Sequence, residues 1–487
     1  MSKNSLLSNL SWKFAERISA QAVTMIVSVI LARLLQPSDY GIISIVMIFI
    51  TLANVFVSDG FGSALIQKKN ADALDFSSVL YFNIGLSIVL YLALFFAAPY
   101  ITRFYGAGYE ILTPVLRVLG LRIILCAINT VQNAYVSRKM IFRKFFYATL
   151  VGTVLSAAVG ITLAFSGFGV WALVAQYMTN TMVNTVFLGL SLKKKPLFSF
   201  SFSRLKGLVS YGWKILATNL LITGQEELKA LIIGKLYSSA DLACYDKGRQ
   251  FPMLVITNVN ASIGAVLFPK MSNEQNDIER LKRTAKNSVR FSSYIMFPLM
   301  IGLAAVAENF ISVVLTDKWL ACVPFLKMFC VVYLLQPLHS ANMQAIKAVG
   351  RSDLLFKLET VKKVIELIVL LSVVWISVEA IVISMALQSV LFSFINAYPN
   401  KKLLNYGIKE QIIDVAGPIW MSLLMMLAVS FVGKLQIPLI PLLCVQVLCG
   451  AVVYLILSII TKNSEFNYII NLLKSNLKIT KRSGKDV

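Results

Sequence analysis

Charged side chains are scarce in this chain, only 14% of its 487 residues, and histidine is almost absent. His339 is the single histidine, and the six cysteines (Cys126, Cys244, Cys322, Cys330, Cys444, Cys449) show no CxxC or Cys/His spacing. That excludes a zinc site and leaves most of the thiols as small buried hydrophobes. Cys244 and Cys322 both fall in loops placed outside below, where a disulfide is chemically allowed but not required. No DxD metal–diphosphate motif occurs, His339 has no acidic partner evident in the sequence, and the longest predicted external loop, about 235–249, is too short for a catalytic domain. The expectation is therefore no enzyme, no metal and no cofactor beyond a coupling ion. A cleavable signal peptide is also not expected, because MSKNSLLSNLSWKFAERIS is polar and enters the first apolar segment without a small-residue cleavage site.

What the chain has is apolar length. Hydrophobic residues make up 57% and the mean hydropathy is +0.75, far from soluble statistics. The composition predicts an all-α polytopic membrane protein, since only helices with internally satisfied backbones form such spans. Apolar windows predict about fourteen transmembrane helices, near 14–35, 40–66, 79–100, 115–137, 147–165, 169–192, 211–236, 250–269, 290–316, 321–349, 358–376, 379–398, 412–433 and 438–461.

The formal charge of +23 would suggest nucleic acid in a soluble protein, but here its position decides its meaning. Lys and Arg gather in alternate loops: KK at 68–69, RKMIFRK at 138–144, KKK at 193–195 and ERLKRTAKNSVR at 279–290. The intervening loops QPSD, FSGFG and WISVE hold none; the segment with Lys235, Lys247 and Arg249 is the exception. By the positive-inside rule both termini are cytoplasmic and no nucleic acid is involved. The tail SEFNYIINLLKSNLKITKR interleaves Phe466, Ile469, Ile470, Leu473 and Leu477 with Lys474, Lys478 and Lys481. It suits a helix lying on anionic lipid at the inner surface, the alternative being a solvated basic tail.

The sequence repeats internally. ARLLQPSDYG at 32–41 aligns with GKLYSSADLA at 234–243, and GSALIQK at 62–68 with GAVLFPK at 264–270, both at a separation of 202 residues. Six helices separate the copies, so both halves enter the membrane from the same side and the repeat is expected to be parallel, its halves facing a cavity. The predicted organisation is an N-lobe over 1–195, a C-lobe over 196–400, an extra helix pair over 401–461 and a basic amphipathic tail over 462–487. The two lobes are pseudo-symmetric, six helices each.

Matched polar stripes run through both halves. Lys13, Arg17, Gln21, Thr24 and Ser28 recur at helical spacing in the first span, and Lys214, Thr218, Gln225 and Lys229 in the seventh. Seven basic residues lie within spans: Arg17, Arg33, Arg117, Arg122, Lys214, Lys229 and Lys327. Facing lipid, each costs roughly 2.5–3.5 kcal/mol, or about 20 kcal/mol together. That exceeds the ~5–15 kcal/mol net stability of a fold, so they must snorkel, pair or line water.

The readings differ by position. Lys13, Lys214 and Arg33 sit near span ends, where snorkelling and a functional role both stand. Arg117 and Lys327 are repeat-related and read as structural. Arg122 lies mid-span with Asn129 and Asn133 on its face, which snorkelling does not explain. Glu226 and Glu227 either pair with a cation such as Lys229 or form a proton or sodium site in a wet cavity. Asp59 lies within reach of Arg17, with a structural ion pair as the default. A mainly cationic cavity selects an anionic ligand: at an effective dielectric of ~20, one phosphate charge about 4 Å from a guanidinium gains roughly 4 kcal/mol. Gln21, Thr24, Ser28 and Gln225 suit sugar hydroxyls.

LARLLQPSDYGIISI, followed by DGFGSALIQKKNADALD, resembles the N-terminal signature of polysaccharide exporters (Wzx-type, lipopolysaccharide and colanic-acid exporters) in the multidrug/oligosaccharidyl-lipid/polysaccharide (MOP) flippase superfamily. The resemblance implies a MATE-like fold of two six-helix lobes. It further implies movement of undecaprenyl-diphosphate-linked oligosaccharide across a bacterial inner membrane, beside a polysaccharide polymerase and chain-length machinery. On that likeness Arg17, Arg122, Lys214 and Lys229 are the cations that hold diphosphate, with Lys13, Gln21, Thr24 and Gln225 as further substrate contacts. Glu226, Glu227 and Asp59 are the candidates for H+ or Na+ coupling. The rival reading is an ion-coupled multidrug exporter of the same superfamily, which calls for an acidic cavity; a structural scaffold would not need matched polar stripes.

Overall fold

The computed structural model describes residues 3–58, 62, 65–66, 68, 71–192, 199–274 and 277–467, with side chains except at 3–18, 208, 210–211, 214–215, 261–266, 268–269 and 352. Its described regular structure is helical throughout. By residue contacts the chain divides into two compact units, Met1–Ala243 and Cys244–Val487.

In the first unit, α1 (Lys3–Leu34) and α2 (Pro37–Ser58) are followed by α3 (Ala73–Tyr105), α4 (Leu112–Gly120), α5 (Arg122–Lys139), α6 (Phe142–Phe165), α7 (Val170–Ser191) and α8 (Phe202–Leu236). A capping box starts α3: Asp72 Oδ1 accepts from Asp75 N at 2.9 Å, and Asp75 Oδ2 accepts from Asp72 N at 3.1 Å. Asp75 is fully buried and also meets Lys68 Nζ at 2.6 Å and Arg204 Nη1 at 3.6 Å, so its charge is compensated twice over. Helices α4 and α5 form one span broken at Leu121.

The tightest pairing in this unit is α6 against α7. Ala148, Gly152, Ser156, Gly160 and Ala164 recur every four residues along α6 and are all buried. Such a ladder of small side chains lets two helix backbones approach in lipid, where association depends on packing and polar contacts. At Gly160 an added Cβ would lie 3.0 Å from Gln176 Cβ on α7, so nothing larger than hydrogen fits without movement.

The second unit takes in most of α9 (Ser239–Asn273), then α10 (Ile278–Ala305), α11 (Ala307–Val314), a 3-10 turn at Asp317–Cys322, α12 (Val323–Leu334), α13 (Gln336–Ala348), α14 (Ser352–Val373), α15 (Val378–Leu404), α16 (Ile408–Val432) and α17 (Leu439–Ile460). Pro337, near the start of α13, accounts for the interruption between α12 and α13, since proline lacks the donor to continue the helix. The pair α16–α17 docks on α10. Tyr294 OH donates to Ser458 Oγ at 2.8 Å, and Tyr454 OH donates to the Tyr294 carbonyl at 2.9 Å. At the start of the tail Glu465 pairs with Arg290 at 2.7 Å and Phe466 packs onto the α10–α17 cluster. The tail beyond Asn467 lies outside the described residues.

Helix ends reproduce the repeat. Helix α1 ends at Leu34 and α8 at Leu236; α2 begins at Pro37 and α9 at Ser239, each pair separated by the same 202 residues as the aligned motifs. The local bonding repeats as well: Gln36 N donates to Asp39 Oδ2 and Ser238 N to Asp241 Oδ2, both at 3.1 Å.

One expectation changes. The segment 235–249 is not a loop, because α9 begins at Ser239, where Ser238 and Asp241 form a reciprocal cap with Asp241 N donating to Ser238 Oγ at 3.0 Å. Lys247 and Arg249, the exceptions in the charge pattern, are consequently helical and held by aromatics: Lys247 Nζ lies 5.9 Å from the Trp319 ring, and Arg249 Nε donates to Tyr333 OH at 3.2 Å. Among the described residues nine helices are long and apolar enough to cross a membrane, against about fourteen expected. Helices α7, α8, α9 and α14 lack such an apolar stretch because they carry amide, hydroxyl and charged side chains, while α1 is apolar over Ser19–Leu34.

Candidate functional site

Helix α5 supplies the floor of the site. Arg122, Cys126, Asn129, Thr130, Asn133 and Ser137 share one helical face, and together with Asn180, Thr181 and Asn184 of α7 and Ser58 of α2 they line a cavity of about 410 Å³. None of the described lining residues is Asp or Glu, so Arg122 gives the cavity its fixed charge.

Among the described residues, the neighbours that hold Arg122 carry no negative charge. Its Nε donates to Thr181 Oγ1 at 2.8 Å, Nη1 approaches Met47 Sδ at 3.6 Å, and the guanidinium carbon lies 5.4 Å from the Tyr177 ring centroid. Thr181 Oγ1 in turn donates to the Tyr177 carbonyl at 3.0 Å, which fixes the hydroxyl as acceptor toward Arg122. A guanidinium has five N–H donors, and these contacts use two.

An amide relay continues along the wall. Asn133 Nδ2 donates to Asn129 Oδ1 at 2.6 Å, and Asn129 Nδ2 donates to Asn184 Oδ1 and Thr185 Oγ1, both at 3.3 Å. Asn180 Nδ2 reaches Ser156 Oγ on α6 at 3.3 Å. Among the described residues Asn133 Oδ1 is buried without a hydrogen-bond partner, an acceptor awaiting a donor.

The structure therefore brings Arg122, Asn129 and Asn133 into one cavity. It adds Asn180, Thr181 and Asn184, which sequence reasoning passed over. Their signal was present as polar residues at spacings of three and four inside an apolar segment, but α7 was read only as a span. Of the other predicted site residues, those that are described lie elsewhere. Gln21 is half-buried and Thr24 exposed on α1, which packs against α6. On α8, Lys229 is 5% exposed and its Nζ stands 3.9 Å from Glu226 Oε1, a loose ion pair one helical turn apart. Gln225 and Glu227 are half-buried on the same helix. The side chains of Lys13, Arg17 and Lys214, and the whole of Asp59, lie outside the described residues. Arg117 has the structural contacts expected of it, with Nε donating to the Phe95 carbonyl at 3.3 Å and its guanidinium 4.2 Å from the Phe95 ring.

A second polar assembly occupies the other unit and was also missed. Ser389, Ser393, Asn396 and Asn400 form a stripe on α15 that meets α13. His339 Nδ1 lies 3.0 Å from Asn396 Nδ2, and Asn400 Nδ2 donates to Asn342 Oδ1 at 2.8 Å. Among the described residues no group of three or more His, Cys, Asp or Glu side chains is placed to hold a metal ion.

Comparison with known proteins agrees with this architecture. Residues 30–324 match the family described as polysaccharide biosynthesis protein. The succinoglycan biosynthesis transport protein ExoT of Rhizobium meliloti (strain 1021) is 24% identical over 350 residues, covering 72% of this chain and 70% of ExoT. The lipopolysaccharide biosynthesis protein WzxC of Escherichia coli (strain K12) is 23% identical over 364 residues, 73% of this chain and 72% of WzxC. The teichuronic acid biosynthesis protein TuaB of Bacillus subtilis (strain 168) is 26% identical over 309 residues, covering 62% of this chain and 63% of TuaB. Among solved structures, the lipid II flippase MurJ in an inward closed conformation aligns with a TM-score of 0.76 at 15% identity, over 93% of this chain and 99% of MurJ. An inward-facing multidrug resistance MATE family transporter of the MOP superfamily aligns with a TM-score of 0.62 at 14% identity, over 79% and 94%. At these identities the structural likeness shows the fold, that of MOP-superfamily transporters.

Proposed function

The chain belongs to the polysaccharide biosynthesis protein family, a membrane transporter rather than an enzyme, and on that premise we propose that it flips undecaprenyl-diphosphate-linked oligosaccharide across the bacterial inner membrane. The observation that carries the reading is the Arg122 cavity: one guanidinium, a row of amides and hydroxyls, and no acid among the described lining residues. A guanidinium suits a phosphate oxygen, because two N–H donors can engage it in parallel. Asn129, Asn133, Asn180 and Asn184 offer both donors and acceptors, as sugar hydroxyls require.

The proposed cycle is alternating access. The charged head group enters from the cytoplasmic side and exchanges water for the Arg122 cavity while the prenyl chain stays in lipid. Binding must be strong enough to offset dehydration and weak enough for release. Lys13, Arg17, Lys214 and Lys229 remain proposed further contacts to the diphosphate, with Gln21, Thr24 and Gln225 toward the sugars. Glu226, Glu227 and Asp59 are the proposed sites of H+ or Na+ coupling. Both termini are proposed to be cytoplasmic, and the polymerase and chain-length machinery are the proposed partners downstream.

A multidrug exporter of lipophilic cations is the competing assignment, and the lack of an acid among the described lining residues speaks for an anionic substrate instead. Complementation of a strain deleted for this gene tests the choice. Arg122→Ala is expected to abolish restored surface polysaccharide at unchanged membrane abundance; full restoration by that variant removes the reading.

A further inference from the structure

Six cysteines are spread from position 126 to 449, and two of them meet. The Cys322 and Cys244 side chains are neighbours, and both are free thiols in this structure. Cys244 lies in the second turn of α9 and is 4% exposed; Cys322 ends the 3-10 turn before α12 and is 0% exposed. The backbones around them are pressed together. At Gly248 an added Cβ would lie 2.6 Å from Phe325 Cβ and 2.9 Å from Leu326 N, and the Tyr245 and Phe329 rings stack edge-to-face at 5.2 Å between centroids. The two thiols are thus held at the mouth of a rigid helix–helix contact inside one unit.

Position in the membrane gives this contact a chemistry. The alternation of basic loops puts the start of α9 and the turn before α12 on the external side. Of the six cysteines, the two placed outside are the two that touch. Outside the plasma membrane, neighbouring thiols meet an oxidising environment in which disulfides form and persist, whereas cytoplasmic thiols stay reduced.

We infer that Cys244 and Cys322 form a structural disulfide in the mature protein, pinning the first turns of α9 to the turn that precedes α12. The reaction joins the two Sγ atoms. Both S–H bonds and the S–S bond of an extracytoplasmic thiol oxidant break, and the two protons and two electrons pass to that oxidant, which becomes a dithiol through a mixed-disulfide intermediate. Because both thiols are buried in the folded protein, the bridge closes while the chain is still emerging, before the Gly248–Phe325 contact shuts. Once closed it encloses a long loop and restricts the unfolded chain accordingly. This inference rests on the proposed orientation, with both termini cytoplasmic, and is independent of what the Arg122 cavity binds.

The test is a thiol count on the full-length chain in native membranes of cells grown without reductant. Free thiols are blocked with N-ethylmaleimide in denaturant, the sample is reduced, and new thiols are labelled with a 5-kDa maleimide. The expected result is two thiols revealed by reduction, none in Cys244→Ser or in Cys322→Ser, and a reducible linkage between the peptides containing Cys244 and Cys322 by mass spectrometry. Dithiothreitol added to the folded protein without denaturant should leave the pair intact. No thiol revealed in the wild-type chain, or a pair that survives in Cys244→Ser, overturns the inference. If all six thiols are free in a chain that still restores surface polysaccharide, the disulfide fails and the transport reading stands.

Discussion

Asn342 and Gln411 exchange two side-chain amide hydrogen bonds, Asn342 Nδ2 to Gln411 Oε1 and Gln411 Nε2 to Asn342 Oδ1, each 2.9 Å long. The pair couples α13 to α16, and Asn400 on α15 donates to the same Asn342 oxygen at 2.8 Å. Both side chains are buried, so either one left alone loses its partner without gaining water. Gln411→Ala is expected to destabilise the second unit by about 1–3 kcal/mol, read as a lower unfolding temperature in detergent. Asn342→Ala with Gln411→Ala together should cost clearly less than the sum of the two, since the first change already breaks the reciprocal pair. Strict additivity would show that the two amides do not act together.

Thr181 makes a second prediction because it positions Arg122 instead of lining the cavity with charge. Thr181→Val keeps the shape of the side chain and removes the oxygen that Arg122 Nε donates to at 2.8 Å. A hydrogen bond to a charged group is worth about 1.5–3 kcal/mol, so export should fall roughly tenfold or more at unchanged protein abundance. Thr181→Ser, which retains the acceptor, should recover most of it. Equal loss in Ser and Val variants would make the effect one of packing.

How far the sequence carried these conclusions depended on which residues break the apolar background. Helix positions were legible because twenty-residue apolar runs have few interpretations, and the repeat was legible because Asp39 and Asp241 cap their helices identically. Arg122, Asn129 and Asn133 were legible as one face because they share α5. The rest of the wall was not: Asn180, Thr181 and Asn184 come from α7, and which two helices meet is set by the Ala148–Gly152–Ser156–Gly160–Ala164 ladder on α6 and its packing, not by any one helix's pattern. The start of α9 was misjudged for a related reason. Charge at Lys247 and Arg249 suggests a loop in isolation, but Trp319 and Tyr333 on the neighbouring segments hold these two side chains.

A pH prediction follows from Asp353 at the exposed start of α14. Its carboxylate accepts from Arg351 Nε and Nη2 at 2.8 and 2.7 Å, and that hydrogen bonding lowers its pKa from the usual 3.8 to about 2. A depressed folded-state pKa contributes stability above the unfolded value, and the contribution disappears as pH falls from about 4 through about 2. Nothing changes for this pair between pH 5 and 8. Asp353→Asn should therefore leave the pH profile of transport in that range unmoved, while Glu227→Gln should shift or flatten it if Glu227 exchanges the coupling proton. A profile displaced by Asp353→Asn would contradict this assignment.

Gly41 and Gly85 offer a matched pair of substitutions with opposite expected signs. A Cβ at Gly41 would lie 1.9 Å from the Ser239 carbonyl oxygen and 2.4 Å from its carbonyl carbon, both backbone atoms that cannot rotate away. The start of α2 and the start of α9 thus touch where only hydrogen fits, at two positions belonging to the repeated motifs. Gly41→Ala forces one helix end to shift and should reduce folded protein or export severely, with Gly41→Val worse. Gly85, in the interior of α3, has no atom within 4 Å of an added Cβ. There the only change is the gain in helix propensity, up to about 1 kcal/mol, so Gly85→Ala should be neutral or slightly stabilising. Measuring both variants for abundance and unfolding temperature separates close approach from a general intolerance of alanine; a well-folded, active Gly41→Ala protein would mean that the α2–α9 contact opens at negligible cost.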